Sequence, residues 1–196
     1  MTRSRRRVAA VILTAAVVIA KTCAAGAQSG NATVTYHGVE FPAAIAGGER
    51  FGTRDYEPTS PGLGFSAGYR HRGATSTVYV YDARLPSIPD DIHAPIVAQQ
   101  FEQAKSDIRV RAEREGSVVN RMSAFEIVDA SGRPRLTCEG FDLRRTDMAV
   151  PTDTYVCVGV AKGNFFKMRT SMRQRRDSQA EVRRFADAWV ARLWNP

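Results

Sequence analysis

The segment Ser76-Thr-Val-Tyr-Val-Tyr-Asp82 constrains the fold of this chain more than any other. In an extended strand successive side chains point to opposite faces, so Val78 and Val80 fall on one side and Tyr79 and Tyr81 on the other. Both faces are apolar, which places the strand centrally in a sheet. Upstream, from Ala32, the chain reads as short strands punctuated by Gly and Pro. Thr33 to Phe41 forms one strand or two, interrupted near Gly38. Arg50 to Glu57 is ended by Pro58. Leu63, Phe65, Ala67 and Tyr69 alternate on one face, and His71-Arg72-Gly73 turns the chain into the central strand.

Downstream, the pattern changes period. Pro95 suits a first helical turn. Val97, Phe101, Ala104 and Ile108 then recur at spacings of four, three and four, one face of a helix closed by Gly116. Strands resume at Val118 to Asp129, Arg135 to Arg145 and Thr154 to Ala161. After the turn Lys162-Gly163-Asn164, Phe166, Met168, Thr170 and Met172 face one side of a strand and Lys167, Arg169, Ser171 and Arg173 the other. That alternation reads as a half-buried edge or outer strand. A second helix follows. Ser178 and Glu181 have capping-box spacing, and Val182, Phe185, Ala186, Trp189, Val190 and Leu193 form its apolar stripe.

Tight turns between successive strands imply antiparallel pairing. The expected fold is α+β: a curved antiparallel β-sheet with two principal helices packed on it, after an N-terminal signal peptide. With 196 residues, 43% of them hydrophobic, the chain allows one exported domain over 28–196, large enough to hold a core without a metal. The order of elements resembles the PsbP/Mog1-like α/β-sandwich proteins. The resemblance rests on Thr77-Val-Tyr-Val-Tyr-Asp82, the helix after it, and the terminal helix after Phe165-Phe-Lys-Met-Arg169. It covers most of the chain as a pattern of elements rather than as a motif. It implies an accessory or binding protein without catalysis, and it carries over no site residues.

The first 27 residues read as an address. A basic head through Arg7 precedes an apolar run from Val8 to Ala20, and Ala25-Gly-Ala27 supplies a small-x-small site for cleavage after Ala27. The apolar run is shorter than the roughly 20 residues a spanning helix needs. An uncleaved anchor, a twin-arginine route through Ser4-Arg-Arg-Arg-Val8, and lipidation at Cys23 are the competing readings, and Lys21 beside Cys23 argues against the last. The mature chain is therefore expected in the periplasm or outside the cell, with no transmembrane span. The leader carries five of the 28 basic residues and no acid, so 23 bases and 20 acids remain, a net charge of +3. So mild a positive charge, in an exported chain, does not point to nucleic acid.

Cys138 and Cys157 remain after cleavage. An even pair in an oxidising compartment suggests one disulfide, closed across the hairpin formed by Arg135 to Arg145 and Thr154 to Ala161. A redox-active pair is the alternative, but the spacing is far from C-x-x-C.

Three motifs could carry chemistry. Gly64-Phe-Ser66-Ala-Gly68 matches the G-x-S-x-G string of hydrolases, but that chemistry needs strand, sharp turn and helix, and Ser66 lies inside an alternating stretch. Its histidine would have to be His71 or His93, the latter working with Asp82, Asp90 or Asp91. Asp90-Asp-Ile-His93 offers possible metal ligands. It reads equally as a helix-entry loop whose acids favour the helix N-terminus, and no metal or other cofactor is expected. His37 and His71 are isolated and read as ordinary surface positions rather than ligands.

The densest charge feature is Arg169, Arg173, Arg175 and Arg176, continued by Arg183 and Arg184. It reads as a patch for an anionic envelope component, such as lipid, lipopolysaccharide or polysaccharide, or for an acidic partner protein. It also reads as a solvated face balanced by Asp177 and Glu181. The expectation is a non-enzymatic exported binding or accessory protein whose partner is another protein, an envelope component or a small apolar ligand. The alternatives are a small secreted hydrolase using Ser66 and a structural subunit of an envelope assembly.

Overall fold

The structure, a computed structural model, describes residues 32–145, 147 and 149–194. The expected signal peptide, its cleavage site and Cys23 lie outside the described residues. In chain order the elements are β1 (Val34–Tyr36), β2 (Val39–Phe41), β3 (Ala44–Ile45), β4 (Gly48–Asp55), β5 (Phe65–His71), β6 (Ala74–Tyr81), α1 (Pro95–Arg114), β7 (Ser117–Val128), β8 (Pro134–Arg145), β9 (Thr152–Ala161), β10 (Asn164–Arg173) and α2 (Ser178–Trp194). Strands β3 to β10 form one antiparallel sheet in the order β3-β4-β5-β6-β10-β9-β8-β7, and β1 pairs with β2 alone. This is the expected α+β arrangement.

Turn chemistry explains the antiparallel pairing. Four hairpins close on a residue followed by glycine, both with positive φ: His37-Gly38, Ala46-Gly47, Arg72-Gly73 and Lys162-Gly163. Two successive left-handed residues make the turn whose twist matches that of the flanking strands, and glycine adopts that conformation without a Cβ clash. The β7–β8 hairpin is held differently. Asp129 accepts hydrogen bonds from the Ser131 hydroxyl, the Arg135 guanidinium, and the Arg133 and Ser131 backbone N–H groups. Those bonds hold its carboxyl well below the usual range.

The two helices cover opposite faces of the sheet. Along β9, Tyr155 and Cys157 pack in the core under α2, while Val156, Val158 and Val160 pack under α1. The helix α2 buries Val182, Phe185, Ala186, Trp189 and Val190, and α1 buries Val97, Phe101, Ala104 and Ile108, as their periodicity predicts. A buried polar anchor holds α1 to the sheet. Lys105 Nζ lies 3.3 Å from Glu139 of β8, which also accepts from Arg121 of β7 at 2.5 Å.

Cys138 and Cys157 are direct cross-strand partners, fully buried and disulfide-bonded, with Cα atoms 4.1 Å apart. Closing a loop of this size stabilises the fold by about 3 kcal/mol on chain-entropy grounds.

The structure corrects three local expectations. Strand β10 is central, between β6 and β9, so its polar side faces the α1 layer and not an outer edge. Leu63 does not share the buried face of Phe65, Ala67 and Tyr69; it precedes β5 and is 54% exposed. Ser178 and Glu181 form no capping box. The Ser178 hydroxyl bonds to the Arg175 backbone, and the Glu181 carboxylate is drawn inward by His71 and Arg184, two partners that outmatch a backbone N–H.

Candidate functional site

Helix α1 lies over β9, β8 and β7. It leaves the same face of β6 and β10 partly open, and that gap is a groove. Its floor is built by strict alternation: Thr75, Thr77, Tyr79 and Tyr81 on β6, in register with Ser171, Arg169, Lys167 and Phe165 on β10. Its wall is a polar stripe of α1 that runs beside the buried one: Gln100, Gln103, Asp107, Arg111 and then Glu115. At about 3.3 Å per residue, the floor from Thr75 to Tyr81 is roughly 20 Å long.

The two ends differ in chemistry. At one end a cleft of about 320 Å³ is lined by Arg111, Arg145 and Arg169, by Glu115, and by the hydroxyl-bearing Thr75, Thr77, Thr154 and Ser171. At the other, a cleft of about 290 Å³ is lined by Tyr56, Leu63, Tyr79 and Tyr81, with Gln100, Gln103, Asp107 and Lys167. Tyr79 borders both.

The cations are not equivalent. Arg111 pairs with Glu115 at 2.8 Å and Arg145 with Asp147 at 2.7 Å. Arg169 is half-buried on a central strand, and its guanidinium makes no hydrogen bond or ion pair with any described residue. Burial and the nearby Arg111 guanidinium both push its pKa down, since each penalises its charge. Lys167 is also half-buried; its ammonium lies 4.7 Å from the Tyr79 ring centroid and 5.3 Å from that of Tyr81. Burial lowers its pKa, and Asp107 across the groove opposes that shift. The Tyr81 hydroxyl donates to Gln100 at 3.0 Å, and burial raises the pKa of both tyrosines.

The arginines of the linear cluster differ in their surroundings. Arg169 lies in the groove, and Arg173 sits exposed at the end of β10. Arg175 is taken up where α2 begins: it donates to the Arg72 carbonyl and faces Asp177 at 3.1 Å. Arg176 is exposed. Arg183 stacks over Phe125 at 4.2 Å, and Arg184 bonds Glu181 and the Ala46 carbonyl. Sequence reasoning missed Lys167, Thr77, Tyr79 and the α1 wall as site residues. The recoverable signal was a second, polar stripe on α1 beside its apolar one.

The serine string is not joined to a histidine. Ser66 is 4% exposed, and its hydroxyl donates to Tyr56 at 3.3 Å. His71, five residues along the same strand, points to the opposite face. His93 is exposed and lies 3.8 Å from Glu126. In the helix-entry loop, Asp90 pairs with Arg135 at 3.0 Å and Asp91 accepts from the His93 backbone N–H.

His71 enters a buried network instead. Its Nδ1 lies 2.6 Å from Glu181, its Nε2 2.7 Å from the Ser76 hydroxyl, and Ser76 lies 2.6 Å from Thr170. Acid, imidazole and serine are therefore in line, but Ser76 and Thr170 are fully buried and the imidazole stacks on Phe185. The network is a cross-link between the sheet and α2. Burial lowers the His71 pKa, and Arg184 and Arg175 offset the pull of Glu181. Burial pushes the Glu181 carboxyl up, but Arg184 and His71 together outweigh it and hold the carboxyl low.

Both groups bind protons more readily in the unfolded chain than in the fold. Stability is therefore full above the ordinary imidazole pKa of about 6.5 and falls on acidification, first through His71 and below about pH 4.5 also through Glu181. Urea midpoints measured across this range are expected to fall with pH. In His71→Gln the slope between about pH 5 and 7 flattens, although the variant is less stable throughout. An unchanged slope would show that His71 does not set it.

No protein-family model matches the chain, and neither does any curated protein.

Proposed function

We propose that the protein is an exported, non-enzymatic binding or accessory protein whose ligand site is the groove between α1 and strands β6 and β10. The ligand carries a negative charge. One observation supports this above all: Arg169 holds a guanidinium half out of water on a central strand, with no acceptor among the described residues. A desolvated charge without a partner is costly, and such costs concentrate where a ligand supplies the partner. The surrounding hydroxyls of Thr75, Thr77 and Ser171 are donors suited to an oxyanion. The leader sequence supports export, and the resemblance to PsbP/Mog1-like accessory proteins points the same way.

Arg169→Gln separates this reading from a purely structural one. A structural arginine loses stability when neutralised. Arg169→Gln is expected to leave the melting temperature unchanged or raise it, because an unpaired desolvated charge is removed. In the same variant, binding of inorganic phosphate, followed by backbone amide NMR shifts at Thr77 and Arg169 of the parent, is expected to weaken about tenfold or more, the usual worth of a charged hydrogen bond. A destabilised variant, or one that binds phosphate as the parent does, would remove the groove from consideration.

A further inference from the structure

We infer that the ligand of this groove is an anionic amphiphile, a single-chain molecule with one acidic headgroup on an apolar tail, bound with its headgroup at Arg169 and its tail along Tyr79, Tyr81 and Leu63. The inference rests on the groove being an anion site and adds the direction and chemistry of the rest of the ligand. Its basis is the polarity of the groove along its length. The arginine end presents hydroxyls and three guanidinium groups against one carboxylate, Glu115, and the far end presents three rings and an aliphatic side chain beside Gln100, Gln103, Asp107 and Lys167.

Leu63 is the second indication. It is 54% exposed, among the largest exposed apolar side chains of the described residues, and it stands at the mouth of the tyrosine end. Isolated exposed leucines are ordinary, but this one lines the same cleft as Tyr56, Tyr79 and Tyr81, which together supply its apolar side. Gly64, beside it, has φ +65, and a Cβ there would meet the Val80 carbonyl at 2.0 Å. The backbone therefore lies tightly against β6, which holds Leu63 at the rim.

Lys167 continues the apolar side rather than breaking it. Its ammonium rests against the faces of Tyr79 and Tyr81, so its alkyl stem lies along the floor. Asp107, accepting from Gln103 at 2.8 Å, is the acid that faces Lys167 across the groove. It balances the middle of the groove; Asp107 and Glu115 also act electrostatically on Arg169, but its guanidinium makes no ion pair with either at the head end. Charge complementarity thus orients the ligand, and the apolar end accounts for its length.

The test is isothermal titration of the full exported chain with three probes: inorganic phosphate, dodecyl phosphate and dodecyl maltoside, the last two kept below their micelle concentrations. Dodecyl phosphate is expected to bind at least tenfold more tightly than either other probe. Leu63→Ser, at an exposed position that should not perturb folding, is expected to weaken dodecyl phosphate at least fivefold and leave phosphate unchanged. Arg169→Gln is expected to weaken both. If dodecyl phosphate binds no better than phosphate, the amphiphile inference fails and the anion reading stands. If dodecyl maltoside binds as tightly as dodecyl phosphate, or if no probe binds, both fail.

Discussion

Glu139→Ala is expected to destabilise the protein by about 3 kcal/mol, the low end of the range for breaking a buried ion pair by removing one partner. Glu139 is 1% exposed, and Lys105, on the sheet-facing side of α1, is 5% exposed. Removing the carboxylate leaves the Lys105 ammonium with Glu102, 2.6 Å away but mostly in solvent, as its remaining acid. Arg121 is 67% exposed and can turn to water, so it adds little to the cost. The loss therefore comes from the stranded lysine. Replacing both partners by apolar residues of similar shape, Lys105→Met with Glu139→Leu, should recover most of it, because the buried charge disappears with its partner. Denaturant unfolding of the single and double variants checks this. A double variant as unstable as Glu139→Ala alone would show that Glu139 acts through something other than Lys105.

Trp189→Ala is expected to cost about 3–5 kcal/mol, the range for deleting a large aromatic side chain from a packed core. Trp189 is fully buried on α2, and its ring meets Phe41, Tyr69 and Phe166 at centroid distances of 5.9, 5.7 and 5.6 Å. Phe41 belongs to β2, so the indole ties the small β1–β2 hairpin, the main sheet and α2 together. Its Nε1 is buried without a hydrogen-bond partner among the described residues, so the substitution strands no partner and the cost is packing alone. Trp189→Phe keeps the ring contacts and removes the unsatisfied N–H. It is therefore expected to be far milder than Trp189→Ala in thermal unfolding. Equal losses in the two variants would mean that the indole N–H is satisfied in solution.

Elements whose signal is local were legible in the sequence. The α2 stripe from Val182 to Val190, the α1 stripe from Val97 to Ile108, and the Arg72-Gly73 and Lys162-Gly163 turns all lie where periodicity and turn chemistry put them. The Cys138–Cys157 bridge followed from a hairpin and an even cysteine pair. The misreadings share a cause. Lys167, Arg169 and Ser171 look like a solvated strand face when only their own strand is considered. They face inward because α1 stands over the neighbouring strands and leaves a gap above β6 and β10. Glu181 has capping spacing within its helix, yet its carboxylate turns toward His71, 110 positions away in sequence. The G-x-S-x-G string directed attention to Ser66, while the histidine met Ser76.

The sequence by itself determined the type of nearly every element, the antiparallel pairing of successive strands, the apolar face of each helix and the Cys138–Cys157 cross-link. Each depends on residues a few positions apart or on a single hairpin. Tertiary structure alone decided that β10 inserts between β6 and β9, that the two helices cover opposite faces, and that Arg169, Tyr79 and the polar side of α1 share one groove. Those outcomes arise from packing between segments distant in the chain, where many surfaces of similar polarity compete and the burial of whole layers selects among them.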